Sequence, residues 1–286
     1  MKSIFSKYTN LALAVAASAM FSGCALDVVP APTYAELAIV NAIPTALSTV
    51  PLVAGTAPRL QISIDGAAQM SDSLQTSSFR GYFPLTAGTK NISLTAANAH
   101  RGAGITAGQE FHKFTFTGEA NKFASTFLFA ETSGVAGATI SSLTVNDDLT
   151  LPASGKVHVR VVNLTANPID VFAITIGTEG TVNNVTSTPV NIFTNVATKN
   201  ASAFTPIDAV PLKAGSALPT FVRKNYTFQI RAVGTTTNLA TLPTSTNSAN
   251  ANTTTLENQR IYTIVVRPGA TATAAPVVFG YFNNRI

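Results

Sequence analysis

Cysteine, tryptophan, histidine and charged residues are all scarce in this chain of 286 residues. The single Cys excludes an intramolecular disulfide and a cysteine-based metal cluster. Three His are too few for most histidine-rich metal sites, and without Trp the usual aromatic platform for stacking on sugars is missing. Charged residues make up 11%, against roughly 25% in typical soluble proteins, which excludes a long, highly charged disordered chain.

Apolar and polar residues alternate repeatedly along the chain and predict β-strands. In residues 157–161 three valines alternate with His158 and Arg160, and in residues 226–231 the apolar side chains again take every second position. A period of two is typical of half-buried strands in antiparallel sheets. With 18 Gly and 15 Pro to supply turns, the chain is predicted to be all-β. His158 and Arg160 are expected to form an outward-facing surface pair.

The N-terminus has the organisation of a secretory signal peptide. Lys2 and Lys7 precede an apolar run over residues 11–21, and two small residues, Ser22 and Gly23, follow it. A basic start, an apolar core of about 7–15 residues and small residues at the cleavage site are the three parts of such a peptide. The run is too short to cross a membrane, which takes about 20 residues. We therefore predict a signal peptide over residues 1–23.

The segment Phe21-Ser22-Gly23-Cys24 resembles the lipobox of bacterial lipoproteins, in which an aliphatic and a small residue precede Gly or Ala and then Cys. The resemblance implies cleavage between Gly23 and Cys24, diacylglycerol on the Cys24 thiol, and often a further acyl chain such as palmitate on the new amine. Two or three acyl chains hold a protein stably at a membrane. An ordinary signal peptide with an incidental Cys is the alternative. On the lipobox interpretation, residues 24–33 form a lipidated tether.

The residue after Cys24 and the distribution of charge bear on location and partners. Ala25 stands where Asp would retain an enteric lipoprotein in the inner membrane, so we predict a lipid-anchored protein of the outer membrane. Whether it faces the periplasm or the cell surface is left open. Residues 1–23 carry two Lys and no acid, so their removal lowers the net charge from +5 to +3. Nucleic-acid binding requires clustered positive charge, and no nucleic-acid partner is predicted.

Two stretches of sequence recur in the same order and predict two related domains. Residues 38–41 resemble residues 160–163, and residues 84–88 resemble residues 211–215. We predict domains over residues 34–145 and 146–286, each long enough to bury a core of its own. The second half is longer because of polar segments near residues 178–203 and 235–255, and the latter segment is expected to be a mobile loop.

Residues 146–164 combine a Gly-Lys, an alternating strand with Arg160 and a Val-Asn-Leu, and a Pro turn and an Asp-Val follow them. This pattern resembles the domain-of-unknown-function family 4397 of Bacteroidetes-type envelope lipoproteins, most strongly over residues 146–177 and more weakly over 35–96. The family has no agreed activity, so the resemblance implies no catalytic residue. It implies an immunoglobulin-like β-sandwich in an exported lipoprotein. Together with the internal repeat, this predicts two tandem immunoglobulin-like antiparallel β-sandwich domains after a lipoprotein signal peptide.

The residues that carry chemistry do not gather in the sequence. His100, His112 and His158 lie in three different contexts, and none has a second His within four residues. Asp147 and Asp148 are the only adjacent acids. They would either bind a cation such as calcium at the domain junction or cap and solvate the turn there, and the sequence leaves this open. We therefore predict no catalytic residue, no metal site and no cofactor, and we expect that the protein is not an enzyme.

The expected function is a non-catalytic structural or protein-interaction role in the cell envelope, with the membrane as one partner and an envelope protein as the other. The alternative is a glycan-binding lipoprotein of a polysaccharide uptake system. Tyr34, Tyr82 and Tyr281 are the candidate surface aromatics for sugars. If two or three of them lie coplanar on one exposed face, the glycan interpretation gains; if they are buried, a protein partner is favoured.

Overall fold

A computed structural model describes most of the chain after the N-terminal segment. The described residues are 33–44, 59–68, 74–97, 106–131, 140–176, 188–209, 225–242, 254–256, 258–269 and 274–283. Within these ranges the secondary structure is entirely β, so the all-β prediction is confirmed. The same ranges contain no helix that is long and apolar enough to cross a membrane.

Eighteen strands, β1 to β18, make up this structure. The first eight are β1 (Tyr34–Asn41), β2 (Leu60–Ile64), β3 (Ala67–Ala68), β4 (Ser78–Thr86), β5 (Gly88–Ala96), β6 (Glu110–Gly118), β7 (Phe123–Ala130) and β8 (Ile140–Asp147). The other ten are β9 (Lys156–Asn163), β10 (Ile169–Ile176), β11 (Val190–Val196), β12 (Asn200–Ala201), β13 (Thr205–Asp208), β14 (Asn225–Ala232), β15 (Asn238–Leu242), β16 (Thr254–Thr255), β17 (Ile261–Arg267) and β18 (Val277–Phe282).

The strands form four sheets, two from each half of the chain. In the first half, the outer sheet has the order β3-β2-β5-β6 and the inner sheet the order β4-β1-β7-β8. In the second half, the outer sheet is β11-β10-β14-β15 with β16 on β14, and the inner sheet is β12-β9-β17-β18 with β13 on β9. The pairs β1–β7 and β9–β17 are parallel, whereas the other named pairs are antiparallel.

Each half is a β-sandwich whose core lies between its outer and its inner sheet. In β5, Ile92 and Leu94 are buried while Asn91 and Thr95 face outwards, as the alternation predicts. The buried side chains of the outer and inner sheets form one apolar cluster in the first half and a second one in the other half. The β-sandwich prediction is therefore confirmed, while the immunoglobulin-like type stays a prediction.

The inner sheets depart from simple alternation because they are buried on both faces. Every residue of β17 is buried, and so are the last five residues of β1 and of β9. One face of each inner sheet covers its own sandwich core. The other faces of the two sheets meet in a third apolar cluster, which includes Val40 and Phe127 of the first half and Val162 and Val265 of the second. A strand buried on both faces has a continuous apolar sequence.

The two halves repeat the same sheet topology, with two extra short strands, β13 and β16, in the second half. Val40 pairs with Phe127 in the first half and Val162 pairs with Val265 in the second, so positions 40 and 162 correspond, as do 127 and 265. The turns repeat as well: Asn121 and its counterpart Gln259 both adopt a positive φ, at 60° and 57°. The internal repeat in the sequence therefore corresponds to a repeated topology. The domain limits at 145 and 146 stay a prediction, and β8 runs past them to Asp147.

Two expectations from the sequence need correction, and a segment noted only for its polar composition also contains strands. Arg160 is buried and does not form a surface pair with His158, because the first inner sheet covers its face of β9. The polar segment 178–203 contains β11 and β12, which form edges of two sheets. The expected loop 235–255 contains β15, which pairs with β14, and its last two residues form β16. Short Thr- and Asn-rich strands give a weak periodic signal, so these two segments were not recognised as strands.

Candidate functional site

The lipobox residues Phe21, Ser22, Gly23 and Cys24 lie outside the described residues, so the predicted lipid site stays a prediction. The candidate site that the structure describes is the interface between the two inner sheets. We call it the sheet interface. Its middle is apolar, and a group of polar side chains lies at the end where β8 finishes and β9 begins. In this polar group, side chains of both halves form a buried ion pair.

An ion pair forms the centre of this polar group. Nη1 of Arg160 on β9 lies 2.5 Å from Oδ1 of Asp147, the last residue of β8, and the two side chains are 2% and 0% exposed. Nε of Arg160 donates to Oγ1 of Thr263 at 3.0 Å. The guanidinium also lies over the ring of Phe204, 4.6 Å from its centroid. Arg160 is therefore held by a carboxylate, a hydroxyl and an aromatic face at once.

Two hydroxyls complete the coordination of the Asp147 carboxylate. The hydroxyls of Tyr82 on β4 and Ser125 on β7 each donate to Oδ2 of Asp147, both at 2.5 Å. The side chain of Asn283, just after β18, donates to the Tyr82 oxygen at 3.1 Å. Asn283 also accepts a hydrogen bond of 2.6 Å from Thr263. The chain of contacts thus crosses between the two halves twice.

Burial controls the proton affinities in this network. Burial is the largest influence and by itself would lower the pKa of Arg160, but the charge and hydrogen bond of Asp147 together with the neighbouring Tyr281 and Tyr82 outweigh it, so the pKa is raised. Burial, followed by the charge of Asp147, raises the pKa of Tyr82. Burial likewise raises the pKa of Tyr281, which lies beside this group. At neutral pH the arginine is therefore charged and the two tyrosines keep their protons, so the network acts as a fixed polar joint and neither phenol is available as a base.

The contacts across the sheet interface follow an approximate two-fold relation. Positions 77 and 199 correspond in the two halves, and so do 129 and 267. Arg267 donates to Ser77 at 3.3 Å. Their counterparts also meet: Lys199, the counterpart of Ser77, lies over the ring of Phe129, the counterpart of Arg267, at 6.0 Å. When residue i meets j and the counterpart of j meets the counterpart of i, the interface is isologous, like that of a symmetric dimer.

The polar network breaks this two-fold relation. Arg160 corresponds to Ala38, and Asp147 corresponds to Asn283. Tyr82 corresponds to Phe204. The first half therefore supplies the acid and the phenol, while the second half supplies the cation and the aromatic face. Each half lacks the partner for its own charged residue, and only the pairing of a first half with a second half satisfies both.

The histidines and acids singled out from the sequence are dispersed in the structure. His112 is half-buried, with its Nε2 3.1 Å from Ser142 Oγ, and burial lowers its pKa. His100 lies outside the described residues. Asp148 accepts a hydrogen bond of 2.9 Å from the backbone of Thr150, whereas Asp147 is directed to Arg160. The two adjacent acids therefore have separate partners. Among the described residues, no group of three or more His, Cys, Asp or Glu is placed to hold a metal ion.

The candidate surface aromatics do not form a shared platform. Tyr34 is exposed, but Tyr281 is buried and stacks on Phe79, with ring centroids 4.5 Å apart. Tyr82 is half-buried and bound to Asp147. The expectation that Tyr281 lies at the surface is wrong because β18 is covered by β4 of the other half. Sequence reasoning missed Arg160, Tyr82 and Asn283 as partners, since nothing in the sequence shows that two inner sheets pack together.

Comparison with known families identifies a match over about half of the chain. Residues 35–172 match the family described as Domain of unknown function (DUF4397). The resemblance inferred from the sequence is therefore confirmed. The matched range covers the sandwich of the first half and continues through β9 into β10. Among the curated proteins, none is similar enough to this chain to count as a match.

Three solved structures illustrate the structural comparison. A leucine-rich repeat protein from Bacteroides thetaiotaomicron has 10% identity and a TM-score of 0.20; the match covers 85% of this chain and 27% of that one. A provisionally named cell adhesion protein from Parabacteroides distasonis has 11% identity and a TM-score of 0.21, with 87% and 98% covered. Another from Bacteroides fragilis has 11% identity and a TM-score of 0.16, with 88% and 98% covered.

Proposed function

We propose that the chain is a lipid-anchored protein of the bacterial outer membrane, whose two sandwiches serve as one rigid, non-catalytic body for contact with another envelope protein. The observation that carries the proposal is the sheet interface, in which the Arg160–Asp147 pair is buried between the halves. A joint that is both apolar and specifically paired holds two modules in one orientation. Rigid presentation of loops and sheet edges is what a recognition protein on a β-sandwich needs.

The anchor rests on the lipobox. Cys24 takes the lipid and the N-terminal side of the first sandwich is tied to the membrane. Metabolic labelling with an alkyne analogue of palmitate tests this directly. We expect labelling of the wild-type chain, loss of labelling and accumulation of the uncleaved form for Cys24→Ser, and unchanged labelling for Asp27→Asn, which lies outside the lipobox. Labelling that survives Cys24→Ser would remove the anchor from the proposal.

The rigid-body part is tested by the distance between the halves. Thr115 on β6 and Thr194 on β11 are exposed positions on the two outer sheets, suitable for spin labels after replacement by Cys in a Cys24→Ser background. We expect one narrow distance distribution by electron spin resonance. A broad or two-peaked distribution would show that the halves move independently, and the presentation role would then lose its basis.

The side of the membrane decides the class of partner. Protease treatment of intact cells, with a periplasmic protein as the internal control, separates the two cases. Digestion while the control stays intact supports a surface role towards external partners. Protection that is lost on rupture of the outer membrane supports a role in assembly within the envelope. Glycan binding is the second candidate, and it is less well supported because, of Tyr34, Tyr82 and Tyr281, only Tyr34 is exposed in the structure.

A further inference from the structure

Arg267, the last residue of β17, carries a buried charge that no acid balances among the described residues. Its side chain is 6% exposed. Nη2 donates to Ser77 Oγ at 3.3 Å, and Nη1 donates to the carbonyl of Pro268 at 3.2 Å. Both bonds are long for a charged donor. Nε is out of contact with solvent and has no hydrogen-bond partner, and burial lowers the pKa of the guanidinium to about 10.

The repeat shows that packing does not require a cation at this position. The counterpart of Arg267 in the first half is Phe129, which is 3% exposed and belongs to the apolar cluster of the sheet interface. An apolar side chain thus fills the equivalent space. A buried charge with weak partners is costly compared with an apolar residue of similar size. The structure of the protein alone gives no reason for the arginine, whereas an anionic ligand would.

The neighbouring turn offers a route to solvent and further donors. Ser77 is exposed and has a positive φ of 56°, which places it at the apex of the turn before β4. Its Oγ accepts from Arg267, so its own hydrogen is available for donation to a third group. Oγ1 of Thr76, in the same turn, is buried and has no hydrogen-bond partner. The Ser77 hydroxyl therefore contacts the guanidinium, the unpaired Thr76 hydroxyl belongs to the adjacent residue of the same turn, and no hydrogen bond or ion pair joins a carboxylate to these groups among the described residues.

We propose that Arg267, Ser77 and Thr76 form a binding site for an oxyanion, a carboxylate or phosphate group, at the rim of the sheet interface. The planar guanidinium matches both groups with two parallel hydrogen bonds. Arg267 belongs to the second half and the two hydroxyls to the first, so the ligand contacts both halves. The site is independent of the lipid anchor, and the anchor tests above have no bearing on it.

Thermal unfolding of the purified protein in sodium acetate, sodium phosphate or sodium chloride at equal ionic strength tests the site. A ligand that binds only the folded state raises the midpoint of unfolding. We expect acetate, phosphate or both to raise it by about 2–4 °C relative to chloride. The rise should persist in Arg80→Met, an exposed arginine on β4 just after the turn that holds Ser77, and should be absent in Arg267→Met. Comparison of the acetate and phosphate arms identifies which oxyanion the site prefers.

A direct measurement covers the case in which Arg267→Met fails to fold. The Nε–H signal of Arg267 is expected in nitrogen-15 spectra because the atom is shielded from solvent, and Arg267→Lys identifies it by its disappearance. Titration with acetate and with phosphate should shift that signal in a saturable way. A signal that moves with neither anion, or anion stabilisation that is equal in wild type and Arg267→Met, would overturn the site.

Discussion

Nη1 of Arg160 lies 2.5 Å from Oδ1 of Asp147, and this contact joins the two halves of the chain inside their interface. The corresponding positions, Ala38 and Asn283, carry no charge, so the pair occurs once in an interface that is otherwise approximately two-fold. Two copies of the first half, packed the same way, would bury an acid without a cation. Two copies of the second half would bury a cation without an acid. The pair therefore specifies which halves associate.

Removal of one partner of this pair should cost more stability than removal of both. Asp147→Asn leaves the Arg160 charge buried without a counter-ion, and we expect a loss of about 3–5 kcal/mol in the free energy of unfolding. Arg160→Met combined with Asp147→Asn should recover most of that loss, because an apolar side chain of similar length fills the site. Urea unfolding of the single and double variants measures both effects.

An exposed pair provides the matched control. Lys156 and Asp208 are 2.6 Å apart with side chains 45% and 56% exposed. Lys156→Met should change the free energy of unfolding by less than about 1 kcal/mol, since solvent screens the pair. If Asp147→Asn were as mild as Lys156→Met, the ion pair would not hold the interface.

Tyr82 should make the protein sensitive to alkaline pH. Its folded-state pKa is raised, first by burial and then by Asp147. The contribution of Tyr82 to the free energy of unfolding is therefore fully present below about pH 10, the pKa of tyrosine in the unfolded chain, and is lost as pH rises above that value. Burial raises the pKa of Tyr226 to about 12 with the same sign. Arg267, whose pKa is lowered to about 10, acts in the opposite direction, but Tyr82, Tyr226 and Tyr281 outnumber it.

Absorbance of tyrosinate near 295 nm, followed together with unfolding, measures this pH dependence. Tyr82→Phe introduces the residue type that the second half has at the corresponding position, Phe204. We expect it to cost about 1–2 kcal/mol at pH 7, because two hydrogen bonds are lost. The difference from wild type should shrink between pH 10 and pH 11. A difference that stays constant across this range would contradict the assignment.

The corresponding Asn41 and Asn163 should differ in their contribution to stability. Both side chains accept a hydrogen bond from the backbone two residues later, at 3.1 Å and 3.0 Å. Asn163 also accepts from the Thr165 hydroxyl and donates to two carbonyls at 2.8 Å and 3.0 Å. Asn41 donates to one carbonyl, at 3.4 Å. We expect Asn163→Ala to lower the free energy of unfolding by about 1–3 kcal/mol more than Asn41→Ala; equal losses in chemical denaturation would refute this.

Gly280 on β18 should not tolerate a side chain. A Cβ at this position would lie 2.1 Å from the hydroxyl of Tyr262, which is buried in the core of the second half. Gly280→Ala should therefore lower the free energy of unfolding by about 1–3 kcal/mol through overpacking. Gly81→Ala on β4 is the control, because nothing lies within 4 Å of its Cβ position. Thermal unfolding of the two variants side by side makes the comparison, and similar midpoints would show that β18 can shift.

The strands with clean alternation were predictable one by one. Residues 157–161 and 226–231 lie in β9 and β14 as their patterns indicate, and the resemblance between residues 38–41 and 160–163 marks positions that correspond in the structure. β11 and β15 were not predictable, because a segment rich in Thr and Asn is compatible with an edge strand and with a loop. The ion pair was not predictable either, since Asp147 and Arg160 come from sheets of different sandwiches.

The sequence by itself determined the all-β class, the repeat and the sandwich cores, because alternation and turn residues act locally along each strand. It also carries the predicted lipobox, a signal read from four adjacent residues. Only the tertiary structure decided that the inner sheets pack face to face, which turns Arg160 from an expected surface residue into a buried one. The physical reason is that the pattern of side chains indicates which face of a strand is apolar. Which sheet covers the opposite face depends on how the whole chain folds.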